Sequence, residues 1–406
     1  MFTIDSVFMF ICSLLVLLMT PALALFYGGL VRSKNVLSTT MHSYTSIAVV
    51  SIQWVLVGYT LAFGSSFHGI FGGLDFLGLH NVGFEANDKY SSTIPHRMFM
   101  MFQMMFAILT PAVMAGAFAE RMKFGPFLVF ILLWTTFVYD PLAHWVWGVG
   151  GWLRELGALD FAGGTVVHIA SGVSGLVVSL VLGKRLQSRE NTPHHIPLTI
   201  LGAGLLWFGW FGFNVGSALT LNGVAINVFV TTMIAATASS LSWMLYDWVK
   251  HKKPTVLGAA TGIIAGLVAI TPACGFVNVF SAIIIGLISG IVCNFAVSKL
   301  KEKLRYDDTL DAFGLHGFGG IWGALATGLF ASKDVNEAGA NGLLFGGGFD
   351  LIFKQSIAVA ATIVFCSILT FIIVKFVNKL VPMRVCEKTE EVGLDLVLHG
   401  EKAYNN

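Results

Sequence analysis

Two histidines stand inside long apolar stretches of this chain. His168 opens HIASGVSG and His316 opens HGFGGIWG, so both read H-x-x-x-G-x-x-G. Each has an aspartate eight residues upstream, Asp160 and Asp308, and the second copy adds Asp311. An ionisable side chain in hydrocarbon is costly and generally faces a cavity or a partner. Neutral imidazole donates one hydrogen bond and accepts another, and a pair can share a proton. That chemistry suits a narrow path for a small hydrogen-bonding molecule. A hydrogen bond tying two core helices together fits the same pattern. Asp160 begins DFAGGT at a helix start, where a carboxylate accepts free amides. It would also draw a cation toward a pore mouth. Trp145, Trp147 and Trp152, then Trp207, Trp210, Phe211 and Phe213, crowd two segments. They fit an interfacial belt, or faces over which a cation sits.

Other chemistries find no support. There is no HExxH, no G-x-S-x-G and no knot of carboxylates, so an enzyme is not expected. Two histidines on separate segments lack an evident third ligand, so neither metal nor cofactor is expected. Cys12, Cys274, Cys293, Cys366 and Cys386 are scattered singly and read as small apolar residues. No basic patch with interleaved aromatics suggests nucleic acid.

The elements that carry these residues follow from composition. Of 406 residues, 56% are hydrophobic and only 11% charged, with mean hydropathy +0.79. Soluble domains carry about 25% charged residues. Apolar runs fall at 7–31, 41–63, 97–119, 125–143, 162–183, 197–215, 226–249, 256–272, 277–298, 311–331 and 351–378. About 20 apolar residues span a bilayer. The first run follows Asp5 and precedes Arg32 and Lys34, the reverse of a signal peptide. It reads as a retained helix. Lysine and arginine alternate with the loops: Arg32, Arg121, Lys184, Lys250 and Lys299 share one side, and Lys89, Arg97, Arg154 and Lys333 the other. By the positive-inside rule the N-terminus lies outside and the C-terminus inside. The expectation is an all-α integral membrane protein of about eleven transmembrane helices. His168 lies on the fifth and His316 on the tenth, which run in opposite directions. Two inverted five-helix repeats plus a final helix place the site near the midplane. Residues 1–384 form the transmembrane domain. Residues 385–406 form a polar tail, either a frayed end or a docking segment.

Residues 160–172, DFAGGTVVHIASG, resemble the signature of the Amt/Mep/Rh ammonium transporter family, in its Amt branch. Four other stretches agree: 22–38, ALALFYGGLVRSKNVLS; 212–218, GFNVGSA; 311–320, DAFGLHGFGG; and 393–404, GLDLVLHGEKAY. The resemblance implies a homotrimer with one pore per subunit in the cytoplasmic (inner) membrane. It implies an outer recruitment site for ammonium, or its analogue methylammonium, on Trp147, Phe106 and Ser217, with Trp145 as the alternative tryptophan. It further implies a gate of Phe106 and Phe213, the pore histidines His168 and His316, the acid Asp160, and Asp311 as the second-repeat acid. It makes the tail a cytoplasmic regulatory segment that docks a PII-type signalling protein.

The chemistry expected from this is recruitment of ammonium, loss of its proton, and passage of ammonia along the histidines, with or without the proton. An apolar gate disfavours an ion far more than a neutral polar molecule. The alternative is a sensor that binds ammonium and signals through its tail with little flux. Sensor relatives usually carry an added signalling domain, and the lack of one here favours transport.

Overall fold

The computed structural model describes residues 3–186 and 192–404; the last two tail residues lie outside them. The chain is an all-α membrane protein, and every apolar run carries a helix. In chain order these are α1 (Ile4–Leu30), α2 (Ser33–Phe63), α3 (His96–Phe118), α4 (124–147), α5 (Gly164–Leu182), α6 (Ile196–Gly216), α7 (Gly223–His251), α8 (Val256–Ile270), α9 (Val279–Leu304), α10 (313–330) and α11 (Asp350–Leu380). Among the described residues, nine helical spans are long and apolar enough to cross a bilayer, while Val256–Ile270 is a shorter apolar helix.

Close helix approach is made by small residues. A side chain at Gly202, Gly209 or Gly212 of α6 would strike the backbone of α1, at Phe26, Leu15 and Cys12. These glycines lie on one face at helical spacing, so the two backbones meet without side chains between them. α1 therefore packs along α6, and α5 packs against α10. Pairing of first with sixth and fifth with tenth is what two five-helix halves about a local two-fold axis would bring. α11 lies across α5 and α10. It shows Phe353, Val364, Ile368, Phe371, Ile372 and Phe376 to the outside, a surface that belongs in hydrocarbon rather than water.

Two boundaries differ from the sequence reading by more than four residues. α2 starts earlier than residue 41, because the Leu37 and Ser38 amides donate to the Asp395 carboxylate at 3.0 and 2.8 Å. That cap comes from the far end of the chain. α9 runs past 298 to Leu304, carrying Lys299, Lys301 and Lys303 on its last turns. Between α2 and α3 an excursion with two short antiparallel hairpins, Ser66–Phe67 with Phe71–Gly72 and Ala86–Asn87 with Ser91–Pro95, walls one end of the bundle.

Candidate functional site

The two histidine motifs meet at the centre. Both histidines sit on wide π-helical turns, Gly164–Ile169 and Phe313–Gly317, which lead into α-helix. Such turns re-aim a side chain at the expense of regular hydrogen bonding. Each turn is held by the aspartate eight residues before its histidine. Asp160 accepts the amides of Gly163 and Gly164 on Oδ1 at 2.7 and 2.6 Å, and that of Thr165 on Oδ2 at 2.7 Å; the Thr165 hydroxyl also donates to Oδ2. Asp308 accepts from Ala312 at 3.1 Å and Phe313 at 2.7 Å. The two acids of the second copy therefore divide. Asp308 takes the capping position, whereas Asp311 forms an ion pair with Lys301 at 2.6 Å.

The motif glycines cross each other. A Cβ on Gly320 would lie 2.9 Å from the Gly164 carbonyl oxygen and 3.1 Å from His168 Cβ. A Cβ on Gly172 would strike the backbone of Gly317, beside His316. Because neither glycine has a side chain, the imidazoles come within reach: His168 Nδ1 and His316 Nδ1 are 3.2 Å apart, with both residues buried. Two neutral rings joined Nδ1 to Nδ1 must be opposite tautomers, one donating and one accepting. Their Nε2 atoms are then one acceptor and one donor. His168 Nε2 has no partner among the described residues, which leaves it for a guest.

Aromatic rings are stacked on this pair. Trp210 and Phe213, one turn apart on α6, lie over His168 with centroids at 5.4 and 6.0 Å and planes within 27°. Trp210 is anchored by its Nε1 donating to Thr271 at 3.0 Å. Phe213 meets Phe106 at 4.3 Å, and Phe106 meets Trp147 edge-on at 5.8 Å. Phe106 and Phe213 are 1% and 0% exposed, so the column is closed there. Beyond them opens a cavity of about 220 Å³ lined by Phe106, Trp147, Phe161, Ser217, Gln103 and Tyr90 among others. Trp147 is fixed by its Nε1 donating to the Asp160 carbonyl at 3.0 Å. Ser217 donates to the Phe213 carbonyl at 2.9 Å, so its oxygen keeps lone pairs for a donor in the cavity. Trp145 instead donates to the Ile70 carbonyl and packs on Trp152 and Phe365, away from the mouth.

The structure therefore brings Trp147, Phe106, Ser217, Phe213, His168 and His316 into one column. Asp160 and Asp308 hold the two histidine turns beside it, while Asp311, the expected second-repeat acid, is drawn off to Lys301. The stacking of Trp210 on His168 was not legible, although its spacing to Phe213 by one helical turn was visible. Lys89 and Arg154, which also line the mouth, gave no local signal.

At the opposite end the tail is bound. Val385 and Lys123 exchange backbone bonds with Arg121 and Met383. Arg384 donates to the carbonyls of Leu182 and Lys184 and pairs with Glu390 at 3.1 Å. Beneath lies a buried ion network: Glu120 with Arg32 at 3.0 Å and Arg185 at 2.6 Å, and Asp307 with Arg185 at 2.7 Å. Asn35 links Glu120 to the tail amide of Leu394. Burial works to raise Glu120, but Arg185, Arg32 and hydrogen bonds from Asn35 and the Arg32 amide hold its carboxyl down at about 2. Asp307 is likewise held at about 2, against burial, by Arg185 and Arg121.

Known proteins resemble this chain in sequence and fold. The sequence profile of the Ammonium Transporter Family matches residues 7–404. An ammonium transporter of Bacillus subtilis is 62% identical over 402 residues, covering 99% of this chain and 98% of that protein. The crystal structure of Saccharomyces cerevisiae Mep2 superposes with a TM-score of 0.89 at 37% identity, over 95% of this chain and 88% of that one. A structure described as a sensor Amt protein superposes at 0.88 with 28% identity, over 98% of both chains.

Proposed function

The chain belongs to the ammonium transporter family and is a multi-pass membrane transporter rather than an enzyme, and from that premise we propose that it recruits ammonium at the aromatic mouth, strips a proton from it and conducts ammonia along the paired histidines. One observation carries this reading: Trp147, Phe106, Phe213, His168 and His316 touch in unbroken sequence from an open cavity to the buried core.

Ammonium at the mouth meets the faces of Trp147 and Phe106, which attract a cation partly stripped of water, and the Ser217 oxygen, which accepts one N–H. Potassium has similar size but donates no hydrogen bond and has no proton to lose. Past the mouth, the closed Phe106–Phe213 stack opposes an ion far more than a neutral molecule. Ammonia both donates and accepts, and the opposite tautomers of the histidine pair offer one acceptor and one donor. In the electrogenic form of the mechanism the proton follows along the same pair.

The mouth lies outside and the tail inside, since the lysine and arginine excess gathers at the tail end. The subunit works as one of three in the cytoplasmic membrane. The tail face, with Arg384, Glu390 and Asp395 welded to the loops, is where a PII-type signalling protein docks.

The test is the current across proteoliposomes after an ammonium concentration jump, with and without His168→Ala. A current selective over potassium and altered by the substitution supports electrogenic passage through the pair. Internal alkalinisation faster than in empty vesicles, without current, means ammonia passes alone. Neither signal, with ammonium still bound, overturns conduction in favour of a sensor, the description carried by one structural neighbour.

A further inference from the structure

An ammonium site would ordinarily be approached through negative charge, which raises the local concentration of a cation. This mouth has the opposite sign. Lys89 and Arg154 line the same cavity as Trp147, Phe106 and Ser217, and among the described residues no aspartate or glutamate lines it. Arg154 is held there, its Nη1 donating to the Trp147 carbonyl at 2.7 Å. Lys89 is exposed on the excursion between α2 and α3, next to Tyr90, whose ring stacks on Phe99 at 4.8 Å.

The nearby acids line none of this cavity. Asp160 spends both oxygens on the amides of Gly163, Gly164 and Thr165, at the start of the helix beside the mouth. Glu85 and Asp88 line a separate concavity on the other side of Lys89. Asp75 accepts the Ser65 amide at 2.7 Å and lies near enough to Lys89 to interact with its charge, but lines none of the mouth; Glu155, beside Arg154 in the chain, is exposed and lines none of it either.

We infer that Lys89 and Arg154 form a cationic collar that works against ammonium at the mouth and eases the loss of its proton. A fixed like charge disfavours the charged form of a bound group relative to its neutral form. The step breaks one N–H bond. Its electron pair stays on nitrogen, the proton passes to water at the mouth, and the neutral ammonia that goes on no longer feels the collar. The collar thus trades affinity for ammonium against readiness to deliver ammonia. This rests on the reading of the mouth as an ammonium site.

Salt dependence reveals the sign. Raising ionic strength from ~10 mM to ~150 mM shortens the screening length from about 30 Å to about 8 Å. A repelling collar is then screened, and the half-saturating ammonium concentration falls; a steering site would show a rise. Exposed charge pairs are weak, so about a 1.5- to 5-fold change is expected. Lys89→Gln lowers the half-saturating concentration at low salt, Lys89→Glu lowers it further, and both converge on the native value at high salt. Lys89 is the better target because Arg154 also holds Trp147.

The experiment measures methylammonium binding by tryptophan fluorescence and ammonium flux in proteoliposomes, at both salts, for native protein, Lys89→Gln and Lys89→Glu. The pattern above in binding supports the collar. Half-saturation that rises with salt, or that Lys89→Glu leaves unmoved, overturns it while leaving conduction intact. Salt-dependent binding of the expected sign without flux keeps the collar and overturns conduction.

Discussion

Replacing Gly320 by alanine drives a methyl group into the crossing of the two histidine turns. Its carbon would lie 2.9 Å from the Gly164 oxygen, 3.0 Å from Ile169 Cγ1 and 3.1 Å from His168 Cβ. Non-bonded carbons rest at about 3.5–4.0 Å, so the two turns must part by roughly 0.5–1 Å. The Nδ1 to Nδ1 bond begins at 3.2 Å, the long end of the hydrogen-bond range, and cannot stretch that far and survive. Overpacking of this kind costs about 1–3 kcal/mol, small enough for the protein to remain folded. Thermal unfolding in detergent should register that loss, and the proteoliposome current should fall sharply while methylammonium still binds at the mouth. Gly204→Ala is the control: nothing lies within 4 Å of its Cβ position, so helix propensity alone acts and stability should hold or rise by about 0.5–1 kcal/mol. If Gly320→Ala conducts like the native protein at unchanged stability, the close crossing does not set the histidine geometry.

Phe213→Ala removes a fully buried ring from the gate; it should cost about 3–5 kcal/mol and raise the potassium current relative to ammonium, read as a shift in reversal potential. Asp160→Ala strands the amides of residues 163–165 and should destabilise by about 2–4 kcal/mol, whereas Asp160→Asn, which keeps one acceptor, should lose visibly less in the same melt. Glu120 and Asp307 have folded values of about 2, below their ordinary 4.5 and 3.8. Their stabilisation is complete above pH 4.5 and drains as pH falls toward 2, so protease protection of the tail should fail across that window and not above it. Removing residues 385–406 should abolish PII binding and uncap α2; unchanged PII binding would show that the tail is not the docking surface.

The sequence was most legible where the physics is local. Long apolar runs with few charges dictate membrane helices, because unpaired backbone groups have no partner in hydrocarbon. The H-x-x-x-G-x-x-G echo marked the two residues that meet at the centre; the resemblance offered Trp147 with Trp145 as the alternative, and of the two it is Trp147 that lines the cavity. Local reasoning also foresaw Asp160 at a helix start. The start of α2 was missed because its cap, Asp395, is 357 residues from Ser38. No window of sequence contains both.

The eight-residue spacing pointed to Asp308, whereas the resemblance named Asp311 as the second-repeat acid. The fold decides it: Lys301 at the end of α9 takes Asp311, leaving Asp308 to the amides. The sign of the charge at the mouth belongs to the same class. Lys89 and Arg154 come from separate loops and read as ordinary surface cations one at a time. Types and periods along a chain determine which residues can live in a membrane and which are able to carry a proton. Only tertiary structure decides which of them share a cavity, because a distance of 3.2 Å between residues 168 and 316 is set by two glycines whose sole contribution is the side chain they lack.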